Sequence, residues 1–525
     1  MGELLRQESD GDGRQCAEQL FPPARQSQAA GAAAVSTVIS ALSRHSGIAF
    51  SDGENAYGYA EFSVAVKSFS AKLRNERVRV VGIAMDNSPL WALIDLAAIE
   101  AGIVCVPLPG FFSPAQLIHV IRDSGVDLIL TDRADDFCAI LQGAGFGILG
   151  RREGDRFGRK HSELRVENRP AELPAGTAKV TYTSGTTGNP KGVCLSMESI
   201  EQVARSLLDA SRADSQDRYL SVLPLSTLLE NIGGIYVPLL AGACCNLPSL
   251  SKVGLEGAAK LDPLKMGKAL ADFRATCAIL TPQLLQAICA LVGKGHVFLP
   301  EMRFLAVGGA PVSIRLLEIA GKLGLPVHEG YGLSECASVL CLNTERENRP
   351  GSVGKPLPHV QLKFADDGEI LAKGAVMLGY CGQPSEFREG FWPTGDTGFL
   401  DEDGYLHLTG RKKNIFITSF GRNVAPEWVE RELTHHAAIM QAVVFGEGRP
   451  WSVAVIVPRD PGGIAAAVQE ANEVLPDYAR VGKWLVADAP FLPDNGLLTA
   501  NGRLRRDAIW PIYREKIEAL YEEKA

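Results

Sequence analysis

Between Val78 and Asp132 the chain runs twice through one pattern: an apolar run, a serine-proline pair, a helical stretch and a glycine. "VRVVGIAM" (Val78–Met85) reads as a buried strand. Ser88 is then placed to N-cap a helix with Pro89 in its first turn, ending at Gly102. "IVCVPL" supplies the next strand. Ser113 and Pro114 open a second helix, with Gln116 in capping-box position and Gly125 as the stop, and "VDLILTD" follows as a strand. Strands joined this way through helices must lie parallel, because the crossover returns the chain to the same end of the sheet. The pattern predicts an α/β protein with helices over both faces of a largely parallel sheet.

At 525 residues the chain exceeds what a single core organises, so at least two domains are expected. The alternation resumes after residue 180, where "RFLAVGGA" (Arg303–Ala310) leads into a helix, so the large N-terminal domain is expected to hold a pair of parallel-sheet subdomains. From Gly351 to Leu408 short, glycine-punctuated strands predict a small β subdomain, and from Lys412 onward a smaller α+β unit follows. The expected division is a poorly ordered polar tail over 1–35, an N-terminal domain over 36–410 and a C-terminal domain over 411–525. A net charge of −8 gives no basic surface for nucleic acid and leaves at most peripheral membrane contact. No apolar run approaches the ~20 residues that span a bilayer. The first residues lack the layout of a secretory signal. The eleven cysteines include no C-x-x-C pair, so neither a zinc site nor a disulfide framework is indicated, and Cys244 and Cys245 read as core fillers. A reduced, cytoplasmic setting is expected.

"YTSGTTGNPKGVCLS" (Tyr182–Ser196) concentrates hydroxyls, glycines and one lysine. Ser184, Thr186 and Thr187 offer hydroxyl donors. Gly185 and Gly188 allow backbone N–H groups to approach an anion closely, and Lys191 adds a point charge. Phosphate is the expected guest. The run is not a Walker loop, which needs Ser or Thr after its lysine where this chain has Gly192. Downstream, "YGLSEC" (Tyr331–Cys336) groups an aromatic ring, a hydroxyl and a carboxylate. "PTGDTGFLDEDGYLHLTGRKKN" carries Asp396 and, fifteen residues on, Arg411; "TSFGRNVAPEWVE" and "LTANGRLRRDAI" follow. Singly, each of these is ordinary turn or core chemistry. Their order and spacing together are specific.

In that order the motifs resemble the adenylate-forming superfamily, with "ITSFGRNVAPEWVE" and "VVFGEGRPWSVAVIV" most similar to fatty acyl-CoA synthetases. The resemblance covers residue 36 to the end. It implies that ATP and a carboxylic acid give an acyl-adenylate, from which the acyl group passes to CoA or another phosphopantetheine thiol. It further implies that Thr183, Ser184, Gly185, Thr186, Thr187, Gly188 and Lys191 hold the β- and γ-phosphates. Tyr331 and Gly332 would border the adenine, Ser334 would meet the α-phosphate, and Glu335 would ligate Mg²⁺, which prefers hard oxygens. Asp396 and Arg411 would hold the ribose. The C-terminal domain is implied to be mobile, turning about a hinge at Lys413 to bring Gly421 to the thiol tunnel.

The chain departs from the family pattern in two places. Phe420 stands where glycine or serine is common, and Arg503 stands where a lysine usually reaches the carboxylate and α-phosphate. Arginine keeps the charge and suits both anions, but a planar guanidinium is not a free replacement for an ammonium. "LPLSTLLENIGGIYVPLLAGA" (Leu223–Ala243) lies where the resemblance implies the acyl site. It has no acid before Glu230, which disfavours an amino-acid substrate, and Thr227 replaces a common histidine. Its apolar character, with small residues at Gly308–Pro311, suits an aliphatic tail. A carrier-protein pantetheine or an amine as acceptor, or a weakly catalytic nucleotide binder, stay open as alternatives. His435 and His436 are read as residues of an exposed helix end and not as metal ligands.

Overall fold

A computed structural model describes residues 36–183, 190–256, 260–384, 390–493, 495–499 and 503–522. The expected tail over 1–35 and the expected phosphate contacts Ser184, Gly185, Thr186, Thr187 and Gly188 lie outside these. No helix among the described residues is long and apolar enough to cross a membrane.

Two nine-stranded sheets form most of the fold. In the first, Val80–Ala84 pairs in parallel with Val104–Pro107 on one side and Leu128–Thr131 on the other. Thr177–Thr183 continues the parallel set, and antiparallel strands close both edges. The caps form as the sequence predicts. The Ser88 hydroxyl accepts from Trp91 N–H, and Gly102 ends that helix at φ 68°. Ser113 and Gln116 make a full capping box, and Gly125 terminates that helix at φ 69°. The second sheet has a parallel centre of Val327–Tyr331, Phe304–Val307, Cys277–Leu280, Arg218–Leu220, Cys244–Asn246 and Ile48–Ser51. One continuous apolar core joins the two sheets, built on residues such as Phe50, Trp91, Leu195, Tyr236 and Tyr331.

The small β subdomain is a four-stranded antiparallel sheet of Gln361–Phe364, Glu369–Lys373, Trp392–Leu400 and Leu406–Arg411. Three short strands within Gly351–Leu408 leave it, among them Gln383–Pro384, which pairs with Gly379–Tyr380. Lys355–Pro356 edges the second large sheet, and Gly379–Tyr380 pairs with Val193 and Cys194 in the first. Such two-residue strands carry no periodicity, so their partner is chosen by tertiary contact. After Arg411 a three-stranded sheet of Ile439–Phe445, Ser452–Pro458 and Val481–Val486 packs with helices Pro426–Thr434, Ile464–Val474 and Arg506–Glu522.

Candidate active site

The fifteen-residue spacing between Asp396 and Arg411 is explained by a hairpin. Strands Trp392–Leu400 and Leu406–Arg411 pair with these two residues directly opposite each other. Arg411 Nε lies 2.7 Å from Asp396 Oδ1, and the Tyr331 hydroxyl donates to Oδ2 over 2.8 Å. Tyr331 is the last residue of strand Val327–Tyr331, so the corner joins the small sheet to the second large sheet. Each carboxylate oxygen keeps another lone pair and can accept further bonds.

Gly332 is required by packing. A Cβ there would stand 1.6 Å from the Ser338 carbonyl oxygen, so the chain closes on itself immediately after Tyr331. Ser334–Cys336 forms a single 3₁₀ turn that presents Glu335, followed by Ala337 at φ 50° and Ser338 at φ 97°. Two successive non-glycine residues at positive φ cost energy and are held only by the surrounding fold. Tyr380 donates its hydroxyl to Glu335 Oε1 over 3.1 Å, while Lys191 Nζ lies 5.3 Å from the Tyr380 ring centroid. Tyr380 therefore ties the carboxylate to the lysine. No sequence motif marks it, because its role depends on the strand exchange at Gly379–Tyr380.

Thr183 and Lys191 face each other across antiparallel strands Thr177–Thr183 and Lys191–Ser196, and form the base of the phosphate-loop candidate. Glu335 supplies hard carboxylate oxygens on a half-buried turn, and Oε2 accepts no bond from a described residue; this donor chemistry fits Mg²⁺.

Arg503 is exposed, yet it is the arginine of "GRLRR" that reaches this cleft: its Nη2 donates to the Gly309 carbonyl over 3.3 Å. Desolvation in the cleft and the neighbouring Arg411 lower its pKa, while Asp396, Glu335 and Tyr331 act to raise it. Its loop is closed at the base, where Thr499 N–H donates to the Arg503 carbonyl over 2.7 Å and Arg503 N–H to Thr499 Oγ1 over 3.0 Å. The other two arginines are engaged elsewhere. Arg505 holds the Gly496 carbonyl at 3.1 Å, and Arg506 is clamped by Glu427 and Glu430. Glu427 also accepts from Asn414, one residue past Lys413. Lys413 lies in the turn after Arg411, its pKa lowered by desolvation and by Arg411.

Gly421 is not brought to this cleft. It stands at φ 70° in a turn that starts at buried Thr418 and is exposed from Ser419 on, with Phe420 beside it 75% exposed. Its positive φ by itself favours glycine there. His435 differs from the expectation of an exposed helix end. It is half-buried at the C-cap of Pro426–Thr434, with Nδ1 2.8 Å from Ser313 Oγ. Glu230 is fully buried, accepts from the Tyr219 hydroxyl, and burial pushes its carboxyl up to about 8.

Residues 39–381 match the AMP-binding enzyme family, and residues 413–525 match the AMP-binding enzyme C-terminal domain. The chain is 28% identical to a long-chain-fatty-acid–CoA ligase of Mycobacterium tuberculosis, over 83% of this chain and 86% of that protein. It is 30% identical to a feruloyl-CoA synthase of an Amycolatopsis species, over 78% of this chain and 85% of that one. The crystal structure of an anthranilate CoA ligase in complex with anthranoyl-AMP shares the fold with a TM-score of 0.76 at 19% identity, covering 92% of this chain and 98% of that one.

Proposed function

We propose, from the premise that this chain belongs to the AMP-binding enzyme family, that it joins a carboxylic acid to CoA through an acyl-adenylate made from ATP. The observation that carries the reading is Arg503: a cation of the C-terminal domain stands in one cleft with Asp396, Glu335 and Arg411. In the first step a carboxylate oxygen attacks the α-phosphorus, the bond to the β-phosphate breaks, and pyrophosphate leaves. Charge builds on the phosphoryl oxygens as this happens, and a fixed cation aimed there lowers the barrier. Arg503 supplies that cation and Asp396 with Arg411 holds the ribose, with Tyr331 fixing the Asp396 carboxylate. Lys191 and Thr183 stand at the base of the loop that receives the departing phosphates. Ser334 opens the turn that faces the α-phosphate. Mg²⁺ bound at Glu335 would neutralise phosphate charge, and Tyr380 orients that carboxylate. In the second step the CoA sulfur attacks the acyl carbon, its proton passes to solvent, and AMP leaves. Lys413 is the hinge in this reading, and Gly421 reaches the thiol after rotation.

The division between the two domains falls at Gly410–Arg411, which the matched regions ending at 381 and beginning at 413 support. For the acid we propose an aliphatic, fatty type. The apolar segment Leu223–Ala243 supports it, and Glu230, neutral and bonded to Tyr219, offers no counter-charge to an amino acid. Pyrophosphate release measured across aliphatic, aromatic and amino acids tests both levels. Release with aliphatic acids and acyl-CoA formation on adding CoA are expected. Release only with aromatic acids overturns the acid, and acyl transfer only to a carrier protein or an amine overturns the acceptor. No release with any acid overturns the activity.

A further inference from the structure

In the segment Leu228–Ala241 the helix changes register: Leu228–Asn231 is α, Ile232–Tyr236 is π, and Val237–Ala241 is α again. Val237 N–H donates to the Ile232 carbonyl, five residues back. The residues flanking and ending the π turn are Asn231 and Tyr236, and both are bonded to one buried ion pair. Lys179 Nζ lies 2.6 Å from Asp95 Oδ1, with the two side chains 1% and 0% exposed. Lys179 also donates to Asn231 Oδ1 and, over 2.8 Å, to the Tyr236 hydroxyl. Asp95 Oδ2 accepts from Asn231 Nδ2 over 3.0 Å and from Tyr236 over 2.6 Å. An α-helix turns about 100° per residue, so side chains five apart point about 140° away from each other. In that register Asn231 and Tyr236 cannot both reach one ammonium. With i→i+5 bonding they lie one turn apart on the same face.

We propose that Asp95 and Lys179 act as a template that holds residues 231–236 in π register and thereby sets the shape of the acid-binding wall. This rests on the reading that Leu223–Ala243 borders the acid. The contacts around the π turn carry it further. A Cβ on Gly233 would stand 2.5 Å from Ile279, and one on Gly234 would stand 2.7 Å from Tyr219, so the turn lies against the second sheet with no room to spare. Leu280, next to Ile279, holds Gly308 N–H at 3.2 Å, and the carbonyl of the adjoining Gly309 holds Arg503. The π turn is therefore linked by consecutive contacts to the arginine beside the reacting groups. Lys179 belongs to strand Thr177–Thr183, which leads into the phosphate-loop candidate, so one cation braces both substrate walls. A buried ion pair adds little net stability against apolar replacements, whereas fixing a register is the role for which buried polar groups are best attested.

The test uses Tyr236→Phe and the double substitution Asn231→Leu with Tyr236→Phe; both leave Lys179 and Asp95 paired with each other. Thermal melts check folding, crystal structures read the register, and steady-state kinetics read KM for a series of acids against KM for ATP. The expected result is an α register across 232–236 in the double variant. KM should then change at least tenfold for some chain lengths and less for others, with KM for ATP within twofold of the parent. A folded variant that keeps the π turn overturns the template, and an α register with an unchanged acid profile overturns its link to the acid. If the double variant does not fold, Tyr236→Phe alone decides by the same two readings, since it keeps the ring volume. Failure of the parent to release pyrophosphate with any acid overturns the proposed function and the link to the acid, while the crystal structures still decide the register.

Discussion

Asp396 is already held by Tyr331 and Arg411, so in the proposed ribose site it would meet the sugar as an oriented acceptor instead of a free carboxylate. Removing it forfeits charge-assisted bonds of about 1.5–3 kcal/mol. Asp396→Ala should therefore raise KM for ATP at least about tenfold, and unchanged ATP kinetics would remove it from the ribose site. Arg503 carries a different expectation, because in the proposed reaction it stands where charge develops. Arg503→Ala should slow acyl-adenylate formation by about 10²–10³, measured as acid-dependent pyrophosphate release. Thioester formation from supplied acyl-adenylate should be spared, and Arg503→Lys should retain the first step. Neither Arg505 nor Arg506 can stand in, since one holds Gly496 and the other is clamped by Glu427 and Glu430. An alanine variant that adenylates at the parent rate would show Arg503 to be a bystander. That Arg503 departs from the family lysine was legible in the sequence. That it alone of the three arginines faces the cleft was not, because the carboxylates that capture Arg506 lie 76 and 79 residues away.

At the scale of elements, strand Val327–Tyr331 delivers Tyr331 at the end of two unusual buried residues. His328 stacks on Phe304 at 4.4 Å, neither ring nitrogen has a partner among the described residues, and burial pulls its pKa down to about 4. Burial pushes Glu329 up to about 8, with Arg431 and the Val312 N–H opposing. The two act in opposite directions on stability. Between pH 4.5 and 8 the folded chain keeps the Glu329 proton that the unfolded chain releases, so Glu329 makes stability fall as pH rises across that window. Between pH 6.5 and 4 the unfolded chain gains a His328 proton that the folded chain refuses, so His328 makes stability fall as pH drops. Glu329→Gln should reduce the loss above pH 6.5 by at most about 1.4 kcal/mol per pH unit, leaving the acid-side loss and the share owed to Glu230, which burial also pushes up to about 8. Melting temperatures against pH for both proteins check this, and parallel curves would show that Glu329 does not titrate there. The serine caps and glycine stops that frame the first sheet were readable, because each is decided within four residues. The partner of strand Gly379–Tyr380 and the π turn at Ile232–Tyr236 were not, since both depend on groups far along the chain.

Across the molecule, the C-terminal domain meets the N-terminal domain through His435 on Ser313, Arg315 on Glu470 at 3.2 Å, and Arg503 on Gly309. These contacts favour the arrangement that puts Arg503 in the cleft. A hydrogen bond is worth about 0.5–1.5 kcal/mol, so His435→Ala should lower the adenylation rate by up to about tenfold while KM for ATP stays unchanged. The second half-reaction should be unaffected. Comparing the two half-reactions checks this, and an equal loss in both would point to general destabilisation instead. The sequence by itself determined the α/β alternation, the helix ends and the family, and it singled out the residues proposed here for phosphate, ribose and metal chemistry. Those signals are local, or are motifs whose internal spacing a single hairpin or turn satisfies, as Asp396 and Arg411 show. Only the tertiary structure decided that Tyr380 joins Glu335 to Lys191, that Asp95 and Lys179 grip both ends of a π turn, and that Arg503 reaches Gly309. In each case the partners are 45 to 194 residues apart. What joins them is the burial of surfaces from separate elements, and no periodicity along the chain encodes that.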